Sequence, residues 1–232
     1  MNKKTKVAIY FLLLLGVGLI FFLFPDDSFA RAGGRIGRRT SLWFLVIFGP
    51  FIAIYCAVIT YYLVKKKKEC KVLLEKIQNI DPVWSPDNLK SRVEETFFKV
   101  QEAWMERDQD IAKDYVSERL YRKHKMQTDR LLQLGHKNIM HNISLNKATI
   151  VEVADYRDDS KDAFIAHIDA SMIDYVVDEN SGAIIEGEKE RTSFEELWKF
   201  KRINNNWYLD EIDSDVSISD LSELMPFSEE NA

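Results

Sequence analysis

A chain of 232 residues that is 46% hydrophobic, with 37 acidic residues against 32 Lys and Arg, has room for one ordinary soluble domain and a membrane segment. Its charge is unevenly placed: residues 1–64 hold seven basic and two acidic residues, which leaves residues 65–232 about ten units negative and excludes a general nucleic-acid binder, because phosphate contacts need clustered cations. Only two cysteines occur, Cys56 in an apolar run and Cys70 beyond it, which excludes a disulfide framework and agrees with a reducing compartment.

Val7–Phe24 is an uncharged run of 18 residues behind Lys3, Lys4 and Lys6. At about 27 Å of helix it is marginal for a bilayer core of about 30 Å. Ser28-Phe29-Ala30 resembles a small-residue cleavage site, so residues 1–30 read as either a signal peptide or a first transmembrane helix. Residues 31–41 form a Gly- and Arg-rich loop, in which Gly33, Gly34, Gly37, Arg38 and Arg39 lack the preceding strand that a nucleotide-binding loop needs and suit a flexible, lipid-contacting segment. Leu42–Val64 is 23 residues without a charge and ends on Lys65, Lys66, Lys67 and Lys68, which makes it a transmembrane helix, with Gly49-Pro50 marking a kink. The lysines before the first run and after the second place the C-terminal part in the cytoplasm. They also make Lys65 to Lys68 candidates for anionic head groups, at about 1 kcal/mol each.

Residues 65–86 continue as a basic stalk and linker, which Asp81-Pro82 stops and Pro86 separates from the domain. The soluble domain, residues 87–213, opens with Ser85 as N-cap and Pro86 at the first helical position, then Leu89, Val93, Phe97, Val100 and Trp104 at helical spacing. A short helix is expected around Ile111 and Tyr115. Ser117 then caps a longer one, carrying Leu120, His124, Gln127, Leu131 and Leu134, which Gly135 ends. Arg119, Arg122, Lys123, Lys125 and Arg130 on it form a second basic cluster. Period-two alternation predicts strands over 143–156, 163–178, 183–203 and 207–212, with Asn204, Asn205 and Asn206 as a tight turn. Helices followed by long antiparallel strands define an α+β domain, with the helices on one face of a curved antiparallel sheet and a membrane anchor in front. Residues 214–232 are an acidic tail, expected to be solvated and disordered beyond Ile218.

Phe97, Ala103, Trp104 and Asp108, the segment 131–138, the strand from Asp162 through Phe164 to Asp174, and Phe194-x-Glu196-x-Trp198-x-Phe200-x-Arg202 before Trp207-x-Leu209 carry a resemblance. Over residues 88–212 the chain resembles the domain family named after the forty-four-kilodalton matrix subunit of the mitochondrial inner-membrane protein translocase. The resemblance implies a cone-like fold of the nuclear-transport-factor-two-like kind, an apolar pocket, and membrane-surface work: preprotein translocation or ribosome tethering with affinity for acidic phospholipids. The N-terminus departs from the mitochondrial pattern, being Lys-rich instead of an Arg- and Ser-rich presequence, and points to a prokaryotic cell-membrane protein. The region by which the mitochondrial protein binds its partner is missing.

The aromatic sheet and the resemblance together nominate Phe97, Trp104, Leu131, Phe164, Ile168, Trp198, Phe200 and Trp207 as pocket residues that are otherwise core. Glu196 and Arg202, on the same strand face, are the polar pocket candidates: either they pair with one another near the ends of the strand, the favoured reading, or Glu196 is a buried carboxylate with a raised pKa in the pocket. Arg119, Arg122 and Lys123 join the lysine band as head-group contacts. His136 and His141, five residues apart, suit no metal spacing, and neither a metal nor a cofactor is expected. His124 reads as a satisfied core or boundary residue, and His167, Asp169 and Ser171 as a solvated strand face. The leading reading is a non-enzymatic, membrane-anchored binding module that takes a lipid acyl chain or an extended partner segment in the concavity of the sheet while basic helix residues meet head groups, its partners being anionic lipid and a protein at the membrane. The alternatives are a small enzyme or sensor using Glu196, His124 or His167 as acid–base groups, and a ribosome tether.

Overall fold

The computed structural model describes residues 37–229, with side chains from Phe48 onward. The first apolar run, its cleavage site and residues 31–36 of the loop lie outside them. The chain divides into two compact units, Met1–Cys56 and Ala57–Ala232. In the first, the described part is the beginning of α1 (Gly37–Ile77), which runs helically through Pro50. Gly37, Arg38 and Arg39, expected in a loop, are thus its first turn. Among the described residues, Phe48–Ile77 is the one helical stretch long and apolar enough to cross a membrane.

The second unit contains the rest of α1, a 3-10 turn at Pro82–Trp84, α2 (Pro86–Glu106), a 3-10 turn at Gln109–Ala112 and α3 (Glu118–Leu134). The strands β1 (His136–Asp155), β2 (Ala163–Asp178), β3 (Ile184–Ile203) and β4 (Asn206–Asp213) follow, then a short α4 (Ile218–Glu223) and β5 (Phe227–Ser228). The sheet order is β4-β3-β2-β1-β5. It is a strongly curled α+β arrangement as expected, except that β5 joins β1 in parallel and makes the sheet mixed.

Local chemistry explains the boundaries. Asp81 accepts from the Val83 amide and starts the turn that ends the stalk. Pro86 opens α2, although the Ser85 side chain makes no capping bond. Ser117 Oγ accepts from the Leu120 amide, and Gly135 at φ +66° closes α3 in the left-handed conformation that glycine adopts without strain. β1 begins seven residues before the expected Ile143. Its register slips between His141 and Ser144, with Asn142 at φ +53°, and such a bulge breaks the alternation by which a strand is read. A second irregularity, opposite Asp174, needs Gly187 at φ +77°, where a Cβ would come within 2.5 Å of the Asp174 carbonyl oxygen.

The main core lies between the helices and one face of the sheet: Leu89, Val93 and Phe97 of α2 meet Phe164, Ile168, Trp198, Phe200 and Leu209. Cys70, Leu74 and Ile77 of α1 enter the same cluster, so the helix that the prolines assign to a stalk belongs to the folded unit. A second cluster joins Val151, Leu197, Leu221 and Leu224 to Ile59, Tyr62 and Leu63.

The described part of the acidic tail, to Glu229, is folded, contrary to the disorder expected beyond Ile218. Ser217 and Asp220 form a reciprocal capping box, Leu221 is fully buried, and Ser228 Oγ donates to Asp155. Acidic composition hides the spacing of Leu221 and Leu224, one helical turn apart, which is what holds the segment down. Ser217→Ala should cost about 1 kcal/mol. Hydrogen exchange should then quicken across residues 217–229 before it changes in β1 to β3.

Candidate functional site

Seven of the eight residues nominated as a pocket come together, but as packed interior, while Leu131 lies outside that cluster. Phe97, Phe164, Ile168, Trp198 and Phe200 are fully buried, Trp207 nearly so, and Trp104 and Leu131 are half-buried at the margin. Phe164 and Phe200 stack at 4.6 Å, and Trp207 meets Phe164 at 4.9 Å and Trp84 at 4.6 Å. Two open depressions mark the surface, one along α3 past Arg122, Met126 and Arg130, the other between Asn88, Arg92 and Trp207. Neither is lined by Glu196, His124 or His167.

Glu196 and Arg202 do not pair, contrary to expectation. Glu196 accepts from Trp198 Nε1 at 2.7 Å and from Ser214 Oγ at 2.9 Å. Arg202, 5% exposed, bonds to Asp81, to Asp162 at 3.1 Å, to Asp159 at 3.1 Å and to Asn205 at 2.7 Å. The reason is geometric: six residues along a strand span about 20 Å, beyond the reach of two side chains, while the β1–β2 connection and the end of the stalk bring three carboxylates to the guanidinium. Burial pushes the Asp162 carboxyl up to about 6, against the pull of the Tyr156 amide and Arg202. Strand periodicity could not supply these partners, although Asp81 before a proline was visible as a turn residue.

His124 offers little to proton transfer near neutrality. His124 is buried against Trp104, ring centroids 5.2 Å apart, with Nδ1 unpartnered, and burial, aided by Lys123, pulls its pKa down to about 4. It is a core residue as expected, but not a satisfied one. His167 is buried and meets Glu195 at 3.3 Å, and Ser171 is buried and accepts from Arg191, so the expected solvated strand face is largely covered. Asp169 accepts from Asn146. Among the described residues no group of three or more His, Cys, Asp or Glu is placed to hold a metal.

The basic candidates divide. Lys66 is buried, with Nζ donating to the Leu224 carbonyl and meeting Glu69 at 3.4 Å, which withdraws it from any head-group surface. Lys65, Lys67 and Lys68 stay exposed. On α3, residues 119, 122, 123, 126 and 130 share one outward face by helical spacing. Arg119 reaches Asp210 at 3.0 Å and Arg122 reaches Glu118 at 2.7 Å, while no ion pair forms to Lys123 or Arg130 among the described residues. Met126 in their midst is 69% exposed. Burial alone would raise the Asp210 carboxyl, but Ser117, Arg119 and Lys201 outweigh it and hold it down at about 2.

Comparison with known proteins adds the following. No curated protein matches the chain. Among solved structures, the intermembrane space region of the chloroplast protein ARC6 aligns at 14% identity and TM-score 0.39, over 54% of this chain and 95% of that one. The sequence profile of the Tim44-like domain matches residues 71–214, well over half of the chain, and by that match the protein belongs to the Tim44-like domain family.

Proposed function

We propose that the chain is a membrane-anchored, non-enzymatic binding module on the cytoplasmic side of a prokaryotic membrane. Its α3 face meets anionic lipid head groups while the domain assists a polypeptide being moved into or assembled in the membrane. The observation that carries this reading is the arc of Arg119, Arg122, Lys123 and Arg130 around the exposed Met126. Surface ion pairs such as Arg122–Glu118 are worth about 0–1 kcal/mol, so phosphate oxygens compete for these cations easily. Several cations near an anionic leaflet contribute about 1 kcal/mol each, and a methionine between them supplies apolar contact. The packed aromatic interior argues for recognition at the surface and not by capture of an acyl chain. Membership of the family supports a binding or translocation-associated module, the apolar helix supports anchoring, and the flanking lysines support the cytoplasmic side.

The full chain with a benzophenone amino acid at position 126, reconstituted into vesicles and illuminated, tests this. Lipid adducts should rise with the anionic lipid fraction and fall with salt. Adduct yield indifferent to both would sink the head-group reading. A protein adduct in its place in native membranes would make an acidic polypeptide the partner.

A further inference from the structure

The last turns of the apolar run do not face lipid on every side. Ile59, Tyr62 and Leu63, spaced along one stripe of α1, pack against Val151, Leu197, Leu221 and Leu224, and one turn on Lys66 is buried against the Leu224 carbonyl. The segment laid on this stripe carries Asp213, Asp215, Asp220 and Glu223, of which Asp213, Asp215 and Glu223 are exposed. An acidic side chain costs about 2.5–3.5 kcal/mol at the centre of a bilayer, so this segment and the part of α1 it covers belong outside the hydrocarbon. On the other side of the same turn Tyr61 is 62% exposed and meets Tyr62 edge-on at 5.6 Å, the residue type that collects at the membrane–water boundary. Before it, Phe51, Ile52, Ile54 and Tyr55 are all exposed, as lipid-facing residues are.

We infer that the hydrocarbon boundary falls at about Val58, some two turns before Lys65, and that α4 with the turn leading into it is a lipid-contacting surface seated in the head-group layer. The uncharged stretch Thr40–Val58 is 19 residues, about 28 Å of helix, which matches a hydrocarbon core of about 30 Å. Ile59, Tyr62 and Leu63, the stripe on which α4 sits, then lie within a head-group layer about 5–8 Å deep, and Lys65, about 10 Å above the boundary, stands just beyond it. The carboxylates around α4 fit the ammonium groups of zwitterionic lipids, a chemistry opposite to that of the α3 arc. The inference rests on α1 being the anchor of the proposed function.

The test uses the full chain with Cys56→Ser. Cys70, 1% exposed, stays unlabelled in the folded protein. Single cysteines at Tyr55, Tyr61, Ser222 and Lys161 are labelled with an environment-sensitive fluorophore after reconstitution into vesicles of zwitterionic lipid. Each is then quenched by a mid-chain nitroxide lipid, a head-group nitroxide lipid and aqueous iodide. Position 55 should answer to the mid-chain quencher, 61 and 222 to the head-group quencher, and 161, beside the Arg202 cluster at the far end of α1, to iodide alone. If 222 behaves like 161 while 55 is quenched by lipid, α4 is not a lipid surface and the inference fails with the anchor intact. If 55 answers to neither lipid quencher, the anchoring reading falls and this inference with it.

Discussion

Arg202→Leu is expected to destabilise the domain by about 3–5 kcal/mol, the range for removing one partner of a buried ionic cluster and leaving the other unpaired. The group left behind is Asp162, 1% exposed, since Asp81 and Asp159 retain solvent. The penalty should depend on pH. In the folded protein the Asp162 carboxyl already stands at about 6, above the ordinary aspartate value of about 3.9, because burial disfavours its charge. A folded value raised in this way favours the protonated folded state: the stabilisation is complete below the ordinary value and is lost as pH rises through the folded one. Without Arg202 beside it that value climbs further, so at pH 5 the buried carboxyl is neutral, and at pH 8 it is an uncompensated charge. Denaturation of the full chain in detergent should therefore show a smaller penalty for Arg202→Leu at pH 5 than at pH 8. The double variant with Asp162→Asn should recover much of the loss at pH 8. A penalty equal at both pH values would mean that Asp162 is not the group left uncompensated.

Arg202 also shows where sequence stops being informative. Its place on the aromatic face of β3 follows from alternation with Phe194, Glu196, Trp198 and Phe200, and the turn after it from three asparagines, of which Asn204 and Asn205 have positive φ. Its carboxylate partners come from positions 40 to 121 residues away, and no periodicity reports on those. The same division runs through the fold. α2 and α3 were legible because an amphipathic stripe and cap residues sit within the segment itself. β1 was half legible, because the irregularity at Asn142 interrupts the alternation. α4 and β5 were hidden, because their stability comes from Leu221 and Leu224 meeting a helix some 160 residues earlier, while their own composition is that of a solvated tail. For the candidate site, the basic arc on α3 could be read from helical spacing, whereas the burial of Lys66 within a run of four lysines could not, since only the Leu224 carbonyl distinguishes it from its neighbours.

Trp198→Ala separates a packed interior from a kept cavity. Trp198 is fully buried, lies 5.7 Å from the Phe97 ring and donates to Glu196, so truncation removes both apolar contact and the donor that Glu196 uses. In a filled core the cost should be about 3–5 kcal/mol. For a unit of this size that lowers Tm by roughly 6–20 °C. The void left is indole-shaped, and an apolar engineered void stays dry and accepts a matching small molecule. Added indole should therefore raise Tm of the variant and leave the parent protein unchanged. An interior built to hold a ligand behaves in the opposite way: truncation widens space that is already there, the stability loss is small, and indole stabilises the parent protein as well. The stacked pair Phe164 and Phe200 and the contact of Trp207 with both Phe164 and Trp84 leave no such space around Trp198's neighbours, so the large loss with specific rescue is the outcome expected. With the interior committed to packing in this way, the recognition proposed for this domain falls to its outer surfaces, where α3 presents cations and α4 presents carboxylates.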